Sequence, residues 1–137
     1  MSFLVFVKPD AVANNVAGQI LALFEFAGFT VVRVKTHTAS PALAAAHYIE
    51  HEGKPFYEDL VAFTASGPVV AAELRGDVAE ARKLVGATDP AQAAEYTIRR
   101  QYGGGIPNNA VHCSADIPSA SREIALWFPP APLGEGL

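Results

Sequence analysis

The chain opens on a continuous apolar run, Phe3 to Val7, that stops at Lys8-Pro9-Asp10. A run without alternation marks a strand buried on both faces. From Asn15 to Ala27, Val16, Ile20, Leu23, Phe24 and Ala27 recur at helical spacing, and Gly28 is a good helix stop. Phe29 to Thr36 carries the β-branched residues Val31, Val32 and Val34 and predicts a second strand. The Ala-rich stretch Pro41 to His51 predicts a helix closed by Gly53, and Pro55 suits the first turn of a partner helix through Ala65. Gly67-Pro68 punctuates, Val69 to Leu74 predicts a third strand, and Val78 to Val85 a further helix.

Asp89 to Asn108 shows little periodicity and reads as a long loop, which in a compact domain usually has a function. Ala110 to His112 predicts a short last strand and Pro118 to Trp127 the last helix. From Phe128 the chain turns Pro-rich, which predicts an extended tail. This order predicts an α+β fold, a four-stranded antiparallel sheet with helices on one face, an inserted helical hairpin and a long loop before the last strand. No repeat or linker divides residues 1–137, so a single domain is expected.

Composition narrows the function classes. Half of the residues are hydrophobic and 18% are charged, which fits a folded globule. A net charge of −4 argues against broad capture of nucleic acid or anionic membrane, yet leaves room for a local phosphate pocket. The single cysteine, Cys113, excludes an internal disulfide and fits a reducing, cytoplasmic setting. Lys8-Pro9-Asp10 interrupts the opening apolar run too early for a signal peptide, and no stretch reaches the roughly 20 apolar residues of a membrane span.

The most telling chemistry lies near the end. His112 sits at a strand end, and Glu123 follows on a helix whose apolar stripe is Ala120, Ile124 and Trp127. A carboxylate on or beside such a stripe is costly unless paired, and an imidazole is the obvious partner. A His oriented by a partly buried Glu is one way to prepare a nucleophile or a general base. His112 and Cys113 are adjacent, so in a strand they point to opposite faces. Gly103-Gly104-Gly105 neither follows a strand nor opens a helix, so it reads as backbone flexibility and not as a phosphate loop.

Asn109-Ala110-Val111-His112-Cys113-Ser114 with Ala120 to Ile124 resembles the active-site block of nucleoside diphosphate kinases, commonly Asn-x-x-His-Gly-Ser followed by Ala-x-x-Glu-Ile. Other blocks resemble that family in the same order: Lys8-Pro9-Asp10, His47-Tyr48, Lys54-Pro55-Phe56-Tyr57, Ser66-Gly67-Pro68-Val69-Val70, Gly86-Ala87-Thr88-Asp89-Pro90 and Thr97-Ile98-Arg99. The resemblance implies a ferredoxin-like fold. It also implies transfer of the terminal phosphate from a nucleoside triphosphate, mainly ATP, to a nucleoside diphosphate through a phosphohistidine, in ping-pong order.

By that resemblance His112 is the nucleophile, Glu123 orients it, and Ser114 either joins their network or merely satisfies local backbone. Lys8, Arg82 and Arg99 would cover phosphate oxygens, with Mg2+ arriving on the nucleotide. Phe56 would stack on the base, beside Leu60 and Ile106. Asn109 and Lys8 would reach the ribose, Thr88 a phosphate, and Tyr48 would support the pocket. A homo-oligomer is expected.

The sequence departs from the family pattern at Asn108, Cys113, Ala115 and Tyr96, which predicts an active enzyme slower than typical. The alternative is a regulatory module that binds nucleotides with little transfer.

Overall fold

A computed structural model describes residues 1–130; the remainder of the Pro-rich tail lies outside the described residues. The elements are β1 (Ser2–Val7), α1 (Pro9–Ala13), α2 (Ala17–Phe26), β2 (Thr30–Thr38), α3 (Pro41–His47), α4 (Tyr57–Thr64), β3 (Pro68–Arg75), α5 (Val78–Val85), α6 (Ile98–Tyr102), β4 (Val111–Cys113) and α7 (Ile117–Trp127). The strands form one sheet in the order β2-β3-β1-β4, with every neighbouring pair antiparallel. The α+β architecture is the one expected.

The unbroken apolar run of β1 has its reason in this topology. β1 is an inner strand, and its alternate residues feed two cores. Phe3, Val5 and Val7 join Ile20 and Phe24 of α2 and Ala81 and Val85 of α5. That is the helical layer expected on one face. Leu4 and Phe6 point the other way, into a core with Tyr48, Val69, Ala71 and Trp127, packed by Leu43 of α3 and Leu60 of α4. The helical hairpin and the end of α7 therefore cover the sheet's second face, for which the sequence pattern named no cover.

The helix ends follow local chemistry. Ser40, Asp77 and Asp116 accept bonds from the backbone N–H groups of Leu43, Ala79 and Ser119, satisfying donors that the first turn leaves free. Each such cap contributes about 1 kcal/mol. Gly28 stops α2 with φ at 100°, a left-handed conformation that glycine adopts without strain.

Element ends shift by a few residues, as in α3, which stops at His47 ahead of a separate 3-10 turn, Ile49–His51, and β2, which runs from Thr30 to Thr38. Three differences are larger. The first helix begins at Ala17, because Asn15 turns left-handed with φ at 60°, and it is preceded by the separate one-turn helix α1. The supposed loop from Asp89 to Asn108 contains a 3-10 turn, Pro90–Gln92, and α6, whose start is capped by Thr97 Oγ1. The last strand begins at Val111, because Ala110 holds φ at 74°.

Candidate active site

His112 is the middle residue of β4, paired across from Phe6 of β1. Alternation sends its side chain to the same face as Phe6, and the two rings stack with centroids 4.9 Å apart. Cys113 points to the opposite core, where burial pushes its thiol up to about 12. The Cys113 side chain is absorbed in that core.

α7 returns over this strand and brings Glu123, only 4% exposed, to the imidazole. His112 Nε2 and Glu123 Oε1 are 2.9 Å apart. An ionised carboxylate only accepts, so the ring donates from Nε2–H and keeps its lone pair on Nδ1. Ser114 Oγ donates to the same Oε1 at 2.8 Å and accepts from the Leu4 N–H. Both readings of Ser114 therefore hold: it satisfies backbone and it joins the network. Burial raises the Glu123 pKa, opposed by His47 and by the Ser114 bond. His112 is pushed well below the usual imidazole value, first by burial and then by Lys8, Arg99 and Arg82. The ring is therefore neutral at physiological pH.

These three cations converge from separate elements. Lys8 follows β1, and its Nζ donates to the Pro107 carbonyl at 3.1 Å. Burial, and then Arg99, lower its pKa to about 7, with Asp10 opposing. Arg82 of α5 donates to the Cys113 carbonyl at 2.9 Å. Arg99 lies on α6 and not in a loop, as the sequence pattern had suggested. It donates to the carbonyls of Gly86 and Val111, and its buried Nε has no partner among the described residues. The three basic groups are held by carbonyls, and none of them makes an ion pair among the described residues, which suits an anion.

A cleft of about 510 Å³ opens beside His112. Lys8, Tyr48, Phe56, Leu60, Arg82, Thr88, Arg99, Ile106, Asn109 and Glu123 all line it with His112; Ser114 alone of the expected site residues sits behind the wall. Phe56 and Ile106 are 49% and 61% exposed, so the outer cleft offers unshielded apolar surface. Asn109 Nδ2 donates to the Thr88 carbonyl while its buried Oδ1 has no partner among the described residues. The Tyr48 hydroxyl is buried beside Thr64, and burial raises its pKa.

Gly103 is not a hinge. A β-carbon there would lie 2.7 Å from the Arg99 carbonyl oxygen, so glycine permits a close approach.

The sequence pattern missed two supporting residues. Asp10 accepts a bond from the Ala110 N–H at 3.1 Å, while the Lys8 N–H donates to the Ala110 carbonyl, and together they fix the left-handed residue ahead of β4. His47, only 2% exposed, packs against His112. The ligand atoms of His47, His112 and Glu123 lie within 4.8 Å of one another. His112 is bonded to Glu123, and a cation on His47 would need the tautomer change that breaks the bond its Nδ1 accepts from Trp127, so the group is a hydrogen-bonded cluster.

Comparison with known proteins agrees with this geometry. A family model described as nucleoside diphosphate kinase matches residues 2–133. The chain is 49% identical over 129 residues to the nucleoside diphosphate kinase of Rhodococcus opacus (strain B4), covering 92% of this chain and 93% of the relative. It is 45% identical over 129 residues to the cytosolic nucleoside diphosphate kinase of Dictyostelium discoideum, covering 93% and 83% of the two. Among solved structures, the Aquifex aeolicus nucleoside diphosphate kinase superposes with a TM-score of 0.90 at 38% identity, covering 93% of this chain and 94% of that one. The Halobacterium salinarum nucleoside diphosphate kinase in complex with CDP gives a TM-score of 0.91 at 40% identity, covering 95% and 88%.

Proposed function

Because the chain belongs to the nucleoside diphosphate kinase family, and so transfers phosphate between nucleotides, we propose that His112 is the group that carries the phosphate from donor to acceptor. The observation that carries this reading is the pairing of Nε2 with Glu123, which leaves a neutral ring with its Nδ1 lone pair free amid Lys8, Arg82 and Arg99.

In the first half-reaction the Nδ1 lone pair attacks the terminal phosphorus of a nucleoside triphosphate, mainly ATP. The bond from that phosphorus to the bridging oxygen breaks, and the nucleoside diphosphate leaves with the electron pair. The ring becomes a phosphoimidazolium whose Nε2 proton stays shared with Glu123. A second nucleoside diphosphate then enters and reverses the chemistry. Lys8, Arg82 and Arg99 meet the charge on the transferring oxygens, where preorganised donors act most strongly. Phe56, Leu60 and Ile106 hold the base by apolar contact and stacking, which tolerates every base. Asn109, whose Oδ1 has no partner among the described residues, takes the ribose together with Lys8, and Thr88 and Tyr48 complete the wall.

Mg2+ carried on the nucleotide phosphates would neutralise part of their charge. The donor set fits that arrangement: the cleft offers cations to phosphate oxygens, and the carboxylate at its centre is committed to His112 and Ser114. The CDP complex of the Halobacterium salinarum relative supports a nucleoside diphosphate as partner. We read residues 1–137 as one domain whose sequence turns Pro-rich from about residue 128. Copies of it associate, since β2 is an edge strand exposing Val32 and Val34, and Phe26 at the end of α2 is 90% exposed. No helix among the described residues is long and apolar enough to cross a membrane. The cytosolic relative from Dictyostelium discoideum supports a cytoplasmic location.

Mixing the protein with terminally labelled ATP and Mg2+ is expected to leave acid-labile, base-stable label on the protein, which GDP or TDP then removes as triphosphate. Absence of the labelled protein during active turnover would exclude the carrier.

Lys8 adds a pH signature. Its amine titrates near pH 7 in the free protein, and a bound phosphate raises that value. Above pH 7 binding therefore takes up a proton, and affinity falls as pH rises through the window between the free and bound values. The decline approaches about tenfold per pH unit at most. Calorimetric ADP binding at pH 8 in buffers of different ionisation enthalpy should show proton uptake. Lys8→Arg, charged throughout, should abolish it; unchanged uptake in that variant would refute the assignment.

A further inference from the structure

His47 ends α3 and lines the cleft, yet it has no part in the phosphate scheme. Its Nδ1 lies 2.9 Å from Trp127 Nε1. An indole N–H only donates, so Nδ1 keeps its lone pair and the proton of the neutral ring sits on Nε2. The ring meets His112 edge-on, with centroids 4.4 Å apart and planes at 84°. Phe6 stacks on His112 with planes 24° apart. Arg122 of α7 donates to the carbonyls of Ala46 and His47, which anchors this end of α3.

We propose that His47 is a positioning residue for the phosphate carrier: the Trp127 indole locks it as the uncharged Nε2–H tautomer, and in that form it fixes the plane of the His112 ring and keeps positive charge off its flank. The proposal rests on the reading of His112 as the carrier. The charged and titratable groups around His47 agree with it. His112 on β4, Lys8 after β1 and Arg122 on α7 disfavour a proton on His47, and burial does so most strongly; Glu123 on α7 favours one. A proton on Nδ1 would also have to break the indole bond.

The test compares pre-steady-state phosphorylation by ATP and Mg2+ in the wild type, Trp127→Phe, His47→Gln and the double variant, between about pH 5 and pH 8. Trp127→Phe removes the donor and with it part of what keeps a proton off His47. Its acid limb should lie at higher pH than in the wild type, the rate falling about tenfold per pH unit below the apparent pKa. The limb should vanish when His47→Gln is added. A Trp127→Phe profile merely scaled from the wild type, or a limb that survives in the double variant, overturns the proposal. Should these variants fail to fold, two-bond 1H–15N spectra of the native protein decide instead. His47 must show a non-titrating ring with its proton on Nε2; the other tautomer, or titration in that range, refutes the lock. Failure of the carrier reading looks different, because the wild type itself then forms no phosphohistidine.

Discussion

His112→Ala is expected to abolish the phosphorylated intermediate and to lower turnover by at least about 10⁴-fold, the scale seen when a nucleophile that acts as one unit with its partners is removed. Nothing in the site can take over. Cys113 is adjacent in sequence, but its sulfur faces the other core and burial holds the thiol near 12, far from a thiolate at neutral pH. Ser114 is buried and its hydroxyl is committed to Leu4 and Glu123. ADP binding should survive, because the cations and the apolar wall of the cleft remain. Single-turnover labelling beside calorimetric ADP binding checks both halves. Label on the variant would move the carrier to another residue, and loss of binding together with labelling would mean that the cleft had collapsed.

How much of this site could be read from the sequence follows from range. Glu123 was legible because it breaks a local pattern: a charge next to Ile124 and three residues from Ala120 must be paired or exposed, and only 4% of it is exposed. The helix Val78–Val85 came out with its observed bounds because Asp77 caps one end and Gly86 closes the other. The one-turn helices α1 and α6 did not, because five residues cannot display a period of 3.6. That is why the sequence pattern places Arg99 in a loop.

His47 escaped for the opposite reason. Its meaning lies in Trp127, eighty residues further along the chain, and no local pattern encodes that bond. The cover on the second face of the sheet is likewise a tertiary fact. The apolar run of β1 announced burial on both faces, but only the packing shows that the hairpin and α7 supply the far side. Of the departures expected to slow the enzyme, one has a structural accommodation: the Cys113 side chain fills core space. Nothing in the structure explains Asn108.

Glu123→Gln separates charge from hydrogen bonding at the centre of the site. Ser114 and His112 both donate to one oxygen of this carboxylate, and a glutamine amide oxygen can accept the same two bonds. What the amide cannot do is offset the positive charge that the ring acquires when Nδ1 bonds phosphorus. If that charge is neutralised by Glu123, phosphorylation should slow by about 10²–10³-fold, while dephosphorylation, which starts from the charged ring, should not slow and the phosphorylated form should be less populated, with nucleotide binding to the free protein little changed, since that ground state carries a neutral ring. Glu123→Ala should be as slow and also less stable by about 1–3 kcal/mol, because it leaves the ring N–H without an acceptor beside a new cavity. Quench-flow rates for each half-reaction, set beside thermal melts of both variants, make the distinction. A glutamine variant as fast as the wild type would mean that Glu123 only aims the ring. A glutamine variant as unstable as the alanine would mean that the amide cannot adopt the paired geometry, and the alanine rate would then have to be restored by a carboxylate supplied in solution for the charge argument to stand.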